Sequence, residues 1–230
     1  MAYRHFFFKI AKVEYIATLF LCFCSVGWGQ QIDKMWSLFT LNGNYDEFLY
    51  NVEPQLRVAY TTQYPFQQFL TNIGGGYALS NEWQAWLGQT FSADSQDALP
   101  GSLDEYRLWE QLVWNHSMQQ NQLISRTRLE ERKSLYFSPI ACRLRERLLF
   151  KTPLTNNMSM IISDEFFINL NSVNWIITKR FDQNRAYIGV EQQLSPTMFL
   201  SAGYMNQYLS LKIPQFNPVL VINFTVNLAT

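Results

Sequence analysis

Apolar and polar residues alternate with a period of two along most of this 230-residue chain. In 48–60, FLYNVEPQLRVAY, one parity reads Phe48, Tyr50, Val52, Pro54, Leu56, Val58 and Tyr60. The other reads Leu49, Asn51, Glu53, Gln55, Arg57 and Ala59. A β-strand with faces of unlike polarity produces this pattern. It returns in 105–115, where Glu105, Arg107, Trp109, Gln111 and Asn115 oppose Tyr106, Leu108, Leu112 and Trp114, and Glu110 interrupts the apolar face. It continues through 184–192, 197–207 and VLVINFTVNL at 219–228. About eleven strands are expected, near 34–42, 48–61, 69–79, 82–92, 104–116, 121–133, 140–151, 158–169, 184–194, 197–209 and 217–229. Turn signals at 79–82, 118–122, 153–158 and 194–197 read as hairpin connections. Longer joins fall near 93–103 and 170–183.

Strands of about ten residues exceed the soluble norm of about 5–6. Trp and Tyr stand near the strand ends on the apolar parity, as in the aromatic girdles of membrane barrels. These features predict an all-β fold, an antiparallel up-and-down transmembrane β-barrel of about 10–12 strands. An even number is expected, as is usual for single-chain bacterial barrels. The apolar parity would face lipid and the polar parity the lumen, and closure would satisfy every backbone group. A soluble exported barrel or sandwich, with its apolar side inward, is the competing fold.

The segment RTRLEERKSLYFSPIACRLRERLLF (126–150) concentrates the arginines. On a strand, Arg126, Arg128, Glu130 and Arg132 share one side, with Ser125, Thr127, Leu129 and Glu131 on the other. On the next strand Arg143, Arg145 and Arg147 line one side, and Glu146 is an exception on the apolar side. Neighbouring arginine rows repel unless carboxylates interleave. The expected lumen network is Glu53, Arg57, Glu105, Arg107, Arg126, Arg128, Glu130, Arg132, Arg143, Arg145, Arg147, Glu165, Arg185 and Glu191. Its nine bases outnumber its five acids, so the lumen should be net positive and either braced by ion pairs or anion-attracting.

Composition narrows the classes. Charged residues are 16% and aromatics 16%, with 18 acids balancing 18 bases. That excludes a disordered chain and disfavours nucleic acid as a partner. Residues 1–29 carry Arg4, Lys9 and Lys12, then the apolar run YIATLFLCFCSVGWG, and read as a cleaved signal peptide before a 30–230 barrel domain. Cys22 and Cys24 would leave with it, so Cys142 could form no internal disulfide. His116 is the one histidine of 30–230, and no zinc site of the usual type is expected. Gly74–Gly76 read as tight packing in a strand, not as a phosphate loop.

The runs GGGYALSNEWQAWLGQTF (74–91), RLWEQLVW (107–114), SRTRLEER (125–132), RLRERLLF (143–150), SDEFFINL (163–170), FDQNRAYIGV (181–190) and SAGYMNQY (201–208) resemble the domain-of-unknown-function family number 2490. The resemblance implies a bacterial outer-membrane β-barrel and assigns no activity. The expectation is therefore a non-enzymatic outer-membrane barrel, structural or a narrow anion-favouring pore. It needs no cofactor and no catalytic residue. It would meet outer-membrane lipid and the barrel assembly machinery as a monomer. Many such barrels end on an aromatic residue read by that machinery, whereas this chain ends NLAT. The alternatives are a lipid-modifying barrel enzyme of the lipid A deacylase kind, with His116 as base, and a periplasmic lipid carrier.

Overall fold

The computed structural model describes residues 32–60, 66–94 and 104–228. The expected signal peptide, with Cys22 and Cys24, lies outside the described residues, as does most of the 93–103 join. Eleven strands follow in order: β1 (Lys34–Tyr45), β2 (Phe48–Ala59), β3 (Phe66–Ala78), β4 (Trp83–Asp94), β5 (Glu105–Met118), β6 (Asn121–Ser134), β7 (Ala141–Pro153), β8 (Met158–Asn169), β9 (Phe181–Gln193), β10 (Met198–Leu209) and β11 (Gln215–Leu228). Consecutive strands pair antiparallel, and β1 pairs with β11 in parallel to close a barrel. The expected even count is thus corrected to eleven. With an odd number of up-and-down strands the first and last run the same way. An unbroken register from Lys34↔Val219 to Gly43↔Leu228 pairs that seam. Alternation counts strands but carries no signal of the seam's direction.

Five short connections, 46–47, 79–82, 119–120, 154–157 and 194–197, lie at one end of the barrel. The longer described connections, 135–140, 170–180 and 210–214, lie at the other. Asp46 and Gln119 open the two-residue turns with left-handed backbone, φ 52° and 57°. A tight hairpin turn requires that conformation there.

The outer wall is apolar and exposed, through Leu56, Phe69, Ile73, Leu87, Leu108, Leu148 and Val190 among others. A water-soluble barrel would bury this parity. Aromatic pairs stand near both ends. Phe48–Tyr77 and Trp83–Trp114 lie toward the short turns, and Phe181–Tyr208 and Tyr208–Phe216 toward the long loops. Glu146 and Asp164 interrupt the apolar wall but are supplied with local donors. Ser125 Oγ and Thr127 Oγ1 donate to Glu146 at 2.6 and 2.5 Å, and Asn184 Nδ2 donates to Asp164 at 2.5 Å.

The inner wall sets large rings over glycines. Trp109 covers Gly74 and Gly88, Trp86 covers Gly76, and Tyr187 covers Gly189 and Gly203. Two members of the 74–76 cluster are therefore seats for indoles, which agrees with tight packing in a strand.

Candidate functional site: an arginine-rich lumen

All fourteen residues expected to share the lumen lie on the inward parity of their strands. Most of them meet in the half nearer the long loops. Glu130, 1% exposed, accepts from Arg143 Nη2 at 2.6 Å and from Arg145 Nη1 at 2.5 Å. Glu165 accepts from Arg126 Nη2 at 2.5 Å and Arg145 Nη2 at 2.8 Å, with Arg185 Nη1 4.0 Å away. Glu105 holds Arg107 at 2.8 Å and Arg132 at 2.6 Å. Each carboxylate is shared by two or more guanidinium groups, so the register partners Arg107 and Arg132 are bridged by Glu105, and Arg128 and Arg145 by Glu130, rather than opposed. Phe167, fully buried, is flanked by the guanidiniums of Arg143, Arg145 and Arg185, 5.1, 4.6 and 4.5 Å from its ring centre. Arg128 lies 4.0 Å over Trp109 and donates twice to Gln111 Oε1.

Three members do not join an ion pair as expected. Glu53 accepts from Gln55 and Asn72 side chains, at 2.5 and 2.9 Å. Arg57 lies 3.8 Å over Trp36 and donates to Gln55 and Gln68. Among the described residues no carboxylate lies within 4 Å of Arg147. The buried Nε atoms of Arg57, Arg126 and Arg147 find no partner.

The structure also adds members. Lys151 pairs with Glu191 near the short-turn end. Lys34 donates to Asn217 Oδ1 at 2.6 Å, and Asp94 accepts from Gln68 Nε2 at 2.7 Å. Asp182, 4% exposed, accepts from Arg143 Nη1 at 2.7 Å. Strict alternation from Arg185 turns Asp182 outward. The register shifts between Phe167 and Ile168, so that Phe167 pairs with Gln183 and Ile168 with Phe181, leaving Asp182 as the extra residue of a bulge. A bulge re-aims the side chain it carries.

Long-loop residues pack onto this half as well. Trp175 is buried, donates to Pro139 O at 2.8 Å and lies 5.4 Å from the Arg132 guanidinium. Toward the short turns the inward side chains loosen. Gln122, Ile124, Leu149, Lys151 and Ile161 are all half-buried. The lumen is thus filled at one end and more open at the other.

His116 stands on the outer parity, stacked on Trp114 at 5.2 Å, with Nδ1 2.8 Å from Glu82 Oε1. Ser117 takes the opposite face. The hydrogen bonds from His116 and Trp114 hold the Glu82 carboxyl below its ordinary value. A carbon-13 titration should therefore give Glu82 a midpoint below the usual glutamate value of about 4.3, and His116→Phe should move it upward. Cys142 is a half-buried free thiol.

Comparison with known proteins agrees with this architecture. The family described as "Protein of unknown function (DUF2490)" matches residues 33–216. An uncharacterized protein of Methylorubrum extorquens is 26% identical over 185 residues, covering 77% of this chain and 78% of its own length. Among solved structures, the NanC porin matches with a TM-score of 0.54 at 10% identity, covering 82% of this chain and 91% of its own. LpxR from Salmonella typhimurium matches with a TM-score of 0.53 at 6% identity, covering 80% and 85%. Likenesses at such identities concern the fold alone.

Proposed function

We propose that this chain, which belongs to the family of proteins of unknown function DUF2490, is a non-enzymatic β-barrel of the bacterial outer membrane with a narrow, anion-favouring lumen. The observation that carries this reading is the inward charge. Among the described residues, nine arginines, Lys34 and Lys151 face five glutamates, Asp94 and Asp182 across the lumen. The exposed apolar wall between aromatic girdles supports a membrane position. The likeness to a porin is in keeping with it. The longer connections would then face outward and the short turns the periplasm, as in other such barrels.

The lipid-modifying alternative depended on His116 as base. Its ring is engaged by Glu82 and Trp114 while Ser117 projects from the other face, so the two do not assemble into a nucleophile–base pair.

Planar-bilayer recording of the refolded protein tests the pore. In a KCl gradient the reversal potential should show a preference for chloride. Arg126→Gln combined with Arg147→Gln should reduce that preference. Cation preference would overturn the reading, and folded protein that passes no current would leave only the structural role.

A further inference from the structure

We propose that the short-turn half of the lumen is a binding site for an amphipathic organic anion. Its carboxylate head would sit on Arg126 and Arg147, and its apolar tail against Ile124, Leu149 and Ile161. This deepens the anion-favouring reading and rests on it.

The head follows from an imbalance in the network. Arg126 and Arg147 are direct register partners on β6 and β7, a placement that repels. Across the other edge Arg147 faces Glu165. That carboxylate is already taken by Arg126 and Arg145, with Arg185 close by. Three hydrogen bonds crowd its Oε1 and Arg185 Nη1 stands 4.0 Å from its Oε2, while Arg147 makes no contact with it within 4 Å although the two are register partners. The Nε atoms of Arg126 and Arg147 are both buried and unpartnered. A desolvated guanidinium without a counter-charge is unfavourable, and its donor fork matches a carboxylate. Glu53, the remaining acid nearby, is occupied by amide donors.

The tail follows from the wall below. One step nearer the short turns, the inward pair is Ile124↔Leu149. Next comes Ile161, opposite Lys151, and Val113 lies beside Arg126. These side chains are half-buried and point into the lumen, so lipid cannot cover them. Apolar surface left to water inside a polar channel favours an apolar occupant. An inorganic anion would answer the arginines and leave this wall wet. An uncharged lipid would cover the wall and leave the arginines uncompensated. From Arg147 to Lys151 the strand rises about 13 Å, room for a short chain. Lys151 and Glu191, 30% and 17% exposed, form an ion pair at the open end where such a ligand would enter.

The test uses the refolded barrel in phosphatidylcholine nanodiscs, with octanoate, acetate and octylammonium as calorimetric probes. Octanoate should bind saturably, acetate at least tenfold more weakly, and octylammonium not saturably. Arg147→Met, which removes a charge rather than stranding one, should weaken octanoate at least tenfold. Leu149→Ser should weaken octanoate and leave acetate unchanged. Heat-modifiable gel mobility certifies the fold of each variant. Octanoate binding that ignores Arg147→Met, or acetate binding equal to octanoate, overturns the site. Conductance separates this from the pore: binding without current sinks the pore alone, and anion-selective current without octanoate binding sinks the site alone.

Discussion

Glu130→Gln is expected to destabilise the barrel by about 3–5 kcal/mol, read as a lower urea midpoint for the protein folded in lipid vesicles. Glu130 is buried between Arg143 and Arg145, and Arg128 Nη1 lies 4.0 Å from it. Removing its charge keeps the shape but leaves those guanidiniums with less counter-charge in a dry interior. Arg143 retains Asp182 and Arg145 retains Glu165, so the loss is a large fraction of the network rather than all of it. The opposite sign is expected at Arg147, whose guanidinium meets no carboxylate among the described residues. Arg147→Met should leave the midpoint unchanged or raise it. Equal losses at the two positions would mean that the ion pairs do not govern stability and that lumen packing does.

The contrast between Glu130 and Arg147 shows what alternation can and cannot report. The period of two placed both on the inward face, because a strand offers only two faces and the leucines occupied the other. It found all eleven strands to within a few residues for the same reason, β8 at both ends and β6 and β10 to within one residue. It could not say which carboxylate each arginine meets, since that depends on shear between strands far apart in sequence. Glu53 was expected to be an ion-pair partner and instead binds amides. Asp182 fell in a region read as a join, and the bulge that turns it inward leaves no mark in the polar pattern. Trp175 was missed because a buried loop residue has no period at all. The glycines gave a partial signal. Three in a row at 74–76 announced tight packing, but not that Trp86 and Trp109 lie over them.

Gly88→Leu is expected to cost about 3–5 kcal/mol, as much as deleting a buried tryptophan ring. A Cβ at Gly88 would run into the ring atoms Cζ2 and Cη2 of Trp109 and into the carbonyl oxygen of Ile73. Neither can yield cheaply. The carbonyl belongs to the β3–β4 ladder, and Trp109, 4% exposed, is fixed from two sides. Its Nε1 donates to Thr90 Oγ1 at 3.2 Å, and the Arg128 guanidinium covers its face at 4.0 Å. Displacing the indole would therefore loosen Arg128, and with it the bond to Gln111 that anchors the lower edge of the network. Wall and network are coupled through this one ring. A double-mutant cycle with Trp109→Ala exposes the coupling, because contacting residues depart from additivity. Once the ring is gone, Gly88→Leu should cost only what the Ile73 carbonyl resists, well under its cost in the parent. If the two losses add in full, Trp109 does not rest on Gly88, and the arginine network stands independently of the glycine seats beneath it.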